Sequence, residues 1–306
     1  MPEFININNF DKIDNSVISF GNFDGFHLGH QNLVSSLIDN AIRYNSKSIL
    51  VIFKPHTKKI IINDENFKEI SPYDVKIELL SSTKLDFVVT VDFSEDFSNI
   101  PAEDFVYLIN KKFNPLLILI GYDNKFGYKG MGSFDFLRKI IKKNNLSIEL
   151  TEFKPFALQG NVIKSSVIKK YIADGNIENA NIYLGKKYEI SGTIVEGKQI
   201  GNNLGFPTAN LKMDFSEQIL PMHGVYYVNL TFENISYKGL CNIGYRPTFN
   251  ENVNRISIET HLKINNDINL YGKKVIIKFL RFIRKEIQFK NKDELIKQIK
   301  EDIQLI

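Results

Sequence analysis

Along the first 185 residues, apolar runs that read as strands alternate with segments whose apolar positions recur every three to four residues. Ser16–Phe20 and Ser48–Phe53 are strand runs. The second, SILVIF, has the near-continuous apolar character of a strand covered on both faces. Between them, His27–Tyr44 carries Leu33, Val34, Leu37, Ile38, Ala41 and Ile42 at helical spacing. Pro72–Ser82, Ala102–Phe113 and Ser133–Asn144 predict further helices, and Asp86–Val91, Pro115–Ile120 and Ile148–Phe153 further strands. Two short helices, Ser166–Ala173 and Ile177–Leu184, follow around Gly175. Repeated alternation of this kind implies a parallel sheet with helices on its faces, because parallel neighbours need crossover connections.

From Lys187 the period falls towards two. Tyr188–Val195, Gly224–Phe232, Ser236–Ile243, Arg255–Lys263 and Lys274–Phe282 read as strands separated by turn residues such as Gly197, Gly201, Asn234 and Asn250. Five or six such strands predict a small antiparallel barrel. A last helix, Lys292–Ile303, has Leu295, Ile296, Ile299 and Ile303 on one face, with Asp293 and Glu294 in the first turn where the helix dipole favours them. The change of period sets the expected domain divide at 185/186.

Composition changes this picture only by exclusion. The 306 residues, 43% of them apolar, are enough for two ordinary domains with cores of their own. The net charge of +4 is mild, so no nucleic-acid or membrane partner is expected. Charge is uneven, net −1 over residues 1–185 and net +5 over 186–306. The longest apolar stretch, about the six residues Pro115–Ile120, falls far short of the roughly 20 that a spanning helix needs. The start, MPEFININNF, has neither a basic cluster nor an apolar run, and a cytoplasmic location is expected. A lone Cys241 excludes a disulfide framework and a cysteine zinc site.

The densest chemical signal is Gly21-Asn22-Phe23-Asp24-Gly25-Phe26-His27-Leu28-Gly29-His30, directly after the first strand. Glycines let the backbone turn tightly there, and free N–H groups with the positive helix end favour an anion. His27 and His30, three apart, share a face at that helix start. Triphosphate binding is one reading. A solvated His27 beside a packing His30 is the other, and zinc lacks a third ligand at a suggestive spacing.

The string GxFDxxHxGH resembles the signature of nucleotidyltransferases that move AMP or CMP onto a phosphate. Further strings narrow the resemblance to the prokaryotic bifunctional riboflavin kinase/FAD synthetase family. Phe53-Lys54-Pro55-His56 resembles its FxPH element, with Thr57 where proline is usual. Gly121–Gly127 resembles GxDFxFG with Asn124 in place of the aromatic residue, and Ile163–Lys169 resembles ISSTxIR, with Lys164 for a serine and Lys169 for the arginine. In the second half, residues 197–211 resemble GxxxGRxLGFPTANL almost end to end, with Asn202 where arginine is usual. Pro221–Tyr226, Asn242–Phe249, Ile258–Leu262 and Asn269–Gly272 follow in the family's order.

The resemblance implies an α/β Rossmann-like nucleotidyltransferase domain over 1–185, then an all-β six-stranded flavokinase barrel with a C-terminal helix over 186–306. It implies two consecutive reactions, riboflavin plus ATP to FMN, then FMN plus ATP to FAD and pyrophosphate, with Mg²⁺ as cofactor. Riboflavin, FMN, FAD and ATP are then the partners. The implied roles are catalysis by Glu259, His27 and His30, with Glu259 taking the proton of the ribityl hydroxyl. ATP and phosphate contacts fall to Gly21, Phe23, Asp24, Ser165, Ser166, Lys169, Gly201 and Gly205. Flavin contacts fall to Asp123 and Arg284. Thr208 and Asn210 offer hard oxygens suited to Mg²⁺. Two alternatives remain open at this point: a kinase with a slow or specialised first domain, and a non-catalytic flavin- or RNA-binding regulator.

Overall fold

The computed structural model describes residues 1–196, 208–246, 255–263, 268–289 and 291–305. The chain forms two compact units, Met1–Ser165 and Ser166–Ile306.

The first unit holds a six-stranded parallel sheet. Its strands are β1 (Glu3–Asn6), β2 (Ser16–Gly21), β3 (Lys47–Lys54), β4 (Phe87–Asp92), β5 (Pro115–Gly121) and β6 (Glu149–Phe153), in the spatial order β1-β4-β3-β2-β5-β6. The crossovers carry α1 (Leu28–Arg43), α2 (Thr57–Ile61), α3 (Tyr73–Ser81), α4 (Glu95–Ser98), α5 (Ala102–Phe113) and α6 (Phe134–Lys143), and a small hairpin follows, β7 (Ala157–Leu158) with β8 (Asn161–Val162). Alternate residues of each central strand feed opposite layers. Val17, Leu50 and Val88 join Leu33 and Leu37 of α1, while Ile18, Val51 and Val89 join Phe105, Ile109 and Phe113 of α5. Burial of each such side chain stabilises by about 1.5–3 kcal/mol, which explains why strands covered on both sides read as unbroken apolar runs. Asn45, Asn114 and Asn145 hold positive φ just beyond α1, α5 and α6, where asparagine tolerates the left-handed turn that ends a helix.

The second unit contains a closed antiparallel barrel of six strands. They are β9 (Tyr188–Val195), β10 (Thr208–Met213), β11 (Gly224–Phe232), β12 (Ile235–Arg246), β13 (Arg255–Leu262) and β14 (Lys274–Arg284), in the cyclic order β10-β13-β12-β11-β14-β9. The barrel interior takes every second residue. One inward row runs Tyr226, Cys241, Thr260, Ala209 across β11, β12, β13 and β10. Burial pushes the Cys241 thiol up to about 12, so it stays a protonated core residue.

The two short helices α7 (Ser165–Ala173) and α8 (Ile177–Leu184) go with the barrel from Ser166 onwards, ahead of the 185/186 divide that the change of period predicts. The reason is visible at Asn181, which is buried. Its Nδ2 donates to the Phe279 carbonyl of β14 (3.0 Å), and its Oδ1 accepts from the Tyr188 amide of β9 (2.6 Å). One side chain therefore stitches α8 across a barrel seam. The final helix α9 (Lys292–Gln304) is capped by Asn291, which accepts from the Glu294 amide. Asn181→Ala removes both seam bonds from a buried position, at an expected cost of about 2–4 kcal/mol. Urea unfolding of the barrel checks this, and a loss below about 0.5 kcal/mol would show that the stitch is dispensable.

Candidate active sites

In the first unit β2 lies between β3 and β5, so the chain winds outward in opposite directions from that pair. Ligand crevices in such sheets lie outside the carboxyl ends of the strands at this reversal. The residues leaving β2 there adopt an unusual path. Phe23 (φ 50°), Gly25 (φ 83°) and Phe26 (φ 40°) are all left-handed, and a Cβ on Gly25 would press on Ile70 at 3.0 Å. Two non-glycine residues in that region cost of order 1–3 kcal/mol each, and such strain persists only where the surroundings enforce it.

Asp24 supplies the enforcement. Its carboxylate is 2% exposed, its Oδ1 accepts from the amides of Ile70 (2.9 Å) and Ser71 (3.0 Å), and its Oδ2 lies 4.0 Å from His56 Nε2. Its main-chain carbonyl accepts from Ser165 Oγ (3.0 Å). Asn22 and Thr57 form a reciprocal pair, Nδ2 to Oγ1 at 2.8 Å and N to Oδ1 at 3.0 Å, tying the exit of β2 to the start of α2. Thr57, where the family motif has proline, thus keeps an amide and a hydroxyl in use.

His27 caps α1, its Nδ1 accepting from the His30 amide (3.3 Å). In a neutral imidazole this leaves Nε2 as the donor. The two imidazoles stack at 3.6 Å between centroids, and Phe23 packs on His30 at 5.0 Å. Burial pushes His27 down to about 4, against the pull of Asp24. Burial, with the Lys76 ammonium nearby, holds His30 well below its usual range. Both rings are neutral at pH 7. Beneath them, Lys76 of α3 and Glu69, both buried, form a pair at 4.0 Å.

The exit of β5 faces the same crevice. Asn124 Nδ2 donates to the Phe20 carbonyl of β2 (2.7 Å), so the residue that replaces an aromatic bridges the two strands of the reversal. Asp123 beside it is exposed. Gly21, Phe23, Asp24, His27, His30 and Ser165 are thus gathered around one turn. Ser166 is exposed in the first turn of α7, and Lys169 is half-buried one turn further along it.

In the barrel, the pleat decides which residues meet. Asn210 of β10 and Asn242 of β12 are both register partners of Glu259 on β13. The three side chains therefore share the face opposite to the inward row of Cys241 and Thr260. Thr208 pairs with His261 two positions along. Burial pushes His261 down, with Glu259 pulling the other way. Asn242 Nδ2 also reaches Glu286 Oε1 at 3.4 Å. Arg284, expected at the flavin, has its guanidinium engaged by Asp302 of α9, Nε at 3.2 and 2.9 Å from the two carboxylate oxygens and one terminal nitrogen at 2.8 Å. Gly201 and Gly205 lie outside the described residues.

Several contributors carry no signature in the sequence. Ile70 and Ser71 act through main-chain amides, Lys76 looks like any helix lysine, and Asp302 looks like a surface charge on an amphipathic helix. The repeated resemblance around Asn242 is the only signal that could have pointed to it.

The family model described as FAD synthetase matches residues 10–167, and that described as riboflavin kinase matches residues 184–306. A protein of Buchnera aphidicola subsp. Schizaphis graminum (strain Sg), named bifunctional riboflavin kinase/FMN adenylyltransferase, is 34% identical over 98% of this chain and 96% of its own length. The Bacillus subtilis (strain 168) protein of the same name is 33% identical over 94% of this chain and 90% of its own. A crystal structure described as a macrolide-efflux protein from Streptococcus pneumoniae aligns with a TM-score of 0.88 at 25% identity, over 99% of this chain and 98% of that one. Among the described residues here, no helix is long and apolar enough to cross a membrane. With both family models matched in order and such relatives matched over nearly their full length, the chain belongs to the bifunctional riboflavin kinase/FMN adenylyltransferase family, whose two activities it carries: ATP-dependent phosphorylation of riboflavin, then adenylylation of FMN to FAD.

Proposed function

We propose that the two reactions divide between the two units, with riboflavin phosphorylated on the barrel and FMN adenylylated at the crevice between β2 and β5. The observation that carries this division is the clustering of each residue set on its own scaffold: Asn210, Glu259 and Asn242 in one cross-strand row, and the histidine turn at the reversal of the parallel sheet. Conversion of ATP and reduced Cys241 both fit a cytoplasmic setting.

On the barrel, Glu259 accepts the proton of the terminal ribityl hydroxyl as that oxygen attacks the γ-phosphorus of ATP. Asn242 and Asn210 flank the carboxylate and orient it. Enzymes of this family use a divalent metal, and Mg²⁺ is our assignment. The chemistry of the donors fits it: Asn210, the register partner of the proposed base, offers a carboxamide oxygen and threonine at 208 a hydroxyl, hard and few, which suits an ion that keeps several waters. Held by Asn210 and Thr208, such an ion would supply positive charge against the ATP phosphates. Gly201 and Gly205, outside the described residues, are assigned to the ATP phosphates on the sequence motif alone. Arg284 acts by fastening α9 to the end of β14 beside the flavin site.

In the first unit, the FMN phosphate is already an anionic nucleophile, so its attack on the α-phosphorus of ATP needs alignment rather than a base. His27 donates from Nε2, and His30 with the first amides of α1 receives charge as pyrophosphate departs. The backbone at Gly21 and Phe23 admits the phosphates, Asp24 fixes that backbone, and Ser165 adds a hydroxyl beside it. Asp123 contacts the flavin or the nucleotide.

Three outcomes test this. Glu259→Gln lowers FMN formation about 10²–10⁴-fold while added FMN is still converted to FAD; a wild-type phosphorylation rate would overturn the base assignment. His27→Asn keeps a helix-capping oxygen but loses the reach of the imidazole, so FAD formation drops about 10²–10³-fold with FMN formation intact. Undiminished FAD synthesis by that variant would remove His27 from the site.

The third outcome concerns protons. His27 has its pKa lowered from the usual 6.5 to about 4, so below pH 6.5 the folded chain binds fewer protons than the unfolded one. Stability present above that pH is lost as the pH falls, by about 3 kcal/mol from this group at pH 4. An NMR titration of the imidazole shows a midpoint near 4, and His27→Asn flattens the acid limb of the urea midpoint. A midpoint near 6.5 would contradict a neutral donor.

A further inference from the structure

Lys164 stands where the family's signature has serine, and the structure puts it between the two strand exits that frame the crevice. Its neighbour Ser165 donates to the Asp24 carbonyl at 3.0 Å, which fixes this part of the chain against the turn after β2. On its other side, Lys164 Nζ lies over the Tyr122 ring at 5.5 Å, directly after β5. The Tyr122 ring is 36% exposed, so the ammonium rests on an aromatic face open to solvent. Contact with the Tyr122 hydroxyl raises the Lys164 pKa, and the group stays charged throughout the neutral range.

The chemistry of the crevice gives this charge a task. The reaction brings the phosphate monoester of FMN against the α-phosphate of ATP, two anions that repel. Both histidines are neutral there. The turn itself brings a buried carboxylate at Asp24, and the exit of β5 brings an exposed one at Asp123. Positive charge must therefore come from side chains beyond the histidine motif. Lysine on a long stem, parked on an aromatic ring at the crevice mouth, can swing to a phosphate without dismantling any buried hydrogen bond.

Resting on the adenylyl-transfer reading above, we propose that Lys164 is a substrate-binding residue of this chain's adenylyl-transfer site, contacting a phosphate of the reacting pair, on either FMN or ATP, from its seat between the exits of β2 and β5. The seat is made by Tyr122 and Ser165, and it substitutes a mobile point charge for the hydroxyl of the motif. Charge-assisted contacts of this kind correspond to about tenfold or more in apparent affinity.

The test is steady-state FAD formation by Lys164→Gln and Lys164→Arg in the full chain, varying FMN and ATP separately, at low and high salt. Riboflavin phosphorylation by the same samples reports that they are folded. Lys164→Gln should raise KM for one substrate about tenfold with kcat changed less than twofold, and should lose part of the salt dependence of that KM. Lys164→Arg should keep KM within about threefold. The substrate whose KM moves identifies the phosphate. Unchanged KM for both substrates, or a fall in kcat alone, overturns the assignment. His27→Asn is run alongside. If it abolishes FAD synthesis while Lys164→Gln leaves both KM values unchanged, only the Lys164 inference fails. If His27→Asn makes FAD normally, the reading beneath it fails instead.

Discussion

The carboxylate of Asp24 is the constraint on which the first unit's site depends. It is buried, it accepts two main-chain amides from Ile70 and Ser71, and its own carbonyl accepts Ser165 Oγ. One residue thereby joins the end of β2, the approach to α3 and the start of α7. Hydrogen bonds to a charged group contribute about 1.5–3 kcal/mol each, and leaving such a charge buried without them costs more. That is enough to offset the left-handed strain at Phe23 and Phe26, and the strain in turn presents the backbone and imidazoles at the crevice. Asp24 works by holding the turn in shape, with its carboxylate turned towards the main-chain amides of Ile70 and Ser71.

Burial of the turn has an electrostatic consequence. The same packing that stacks His27 on His30 lowers both pKa values, so both imidazoles stay neutral near pH 7 and cannot supply net charge. The Lys76–Glu69 pair beneath them is itself balanced. The proposed reaction there joins two phosphates, and Lys164, which puts a cation where the motif has a hydroxyl, stands at the rim of that crevice. Asn124 belongs to the same adjustment: in losing an aromatic ring, the chain gains a bond from β5 to the Phe20 carbonyl of β2.

What was legible in the sequence follows from where the information resides. Ala102–Phe113 and Ile177–Leu184 are bounded by Pro101 and Asn114, and by Asn176 and Gly185, so both helices emerge at the residues that the pattern predicts. The edge strand β1, EFIN, escapes because it pairs only with β4 and has no unbroken apolar run. The strand β10 is hidden inside a string dominated by glycine and proline, whose motif content masks its alternation. Catalytic candidates such as His27, His30 and Glu259 announce themselves by side-chain chemistry and spacing. The residues that hold them do not, because Ile70 and Ser71 contribute amides that any residue has. Asn181 and Asp302 act through distant partners that no local period reveals.

The two units also solve the positioning problem by different backbone devices. At the crevice, a single turn departs from ordinary dihedral space and is clamped by buried hydrogen bonds. On the barrel no unusual backbone is needed, because the pleat does the positioning. Register sets Glu259 opposite both Asn210 and Asn242, and the closure of the barrel fixes that register from both sides. A slip of one residue along β13 would turn Glu259 towards Cys241 and Tyr226 and bury an uncompensated charge in an apolar interior. The hydrophobic core of the barrel therefore enforces the geometry of its polar row: the inward run of Ile258, Thr260 and Leu262 leaves the intervening glutamate no other face to occupy.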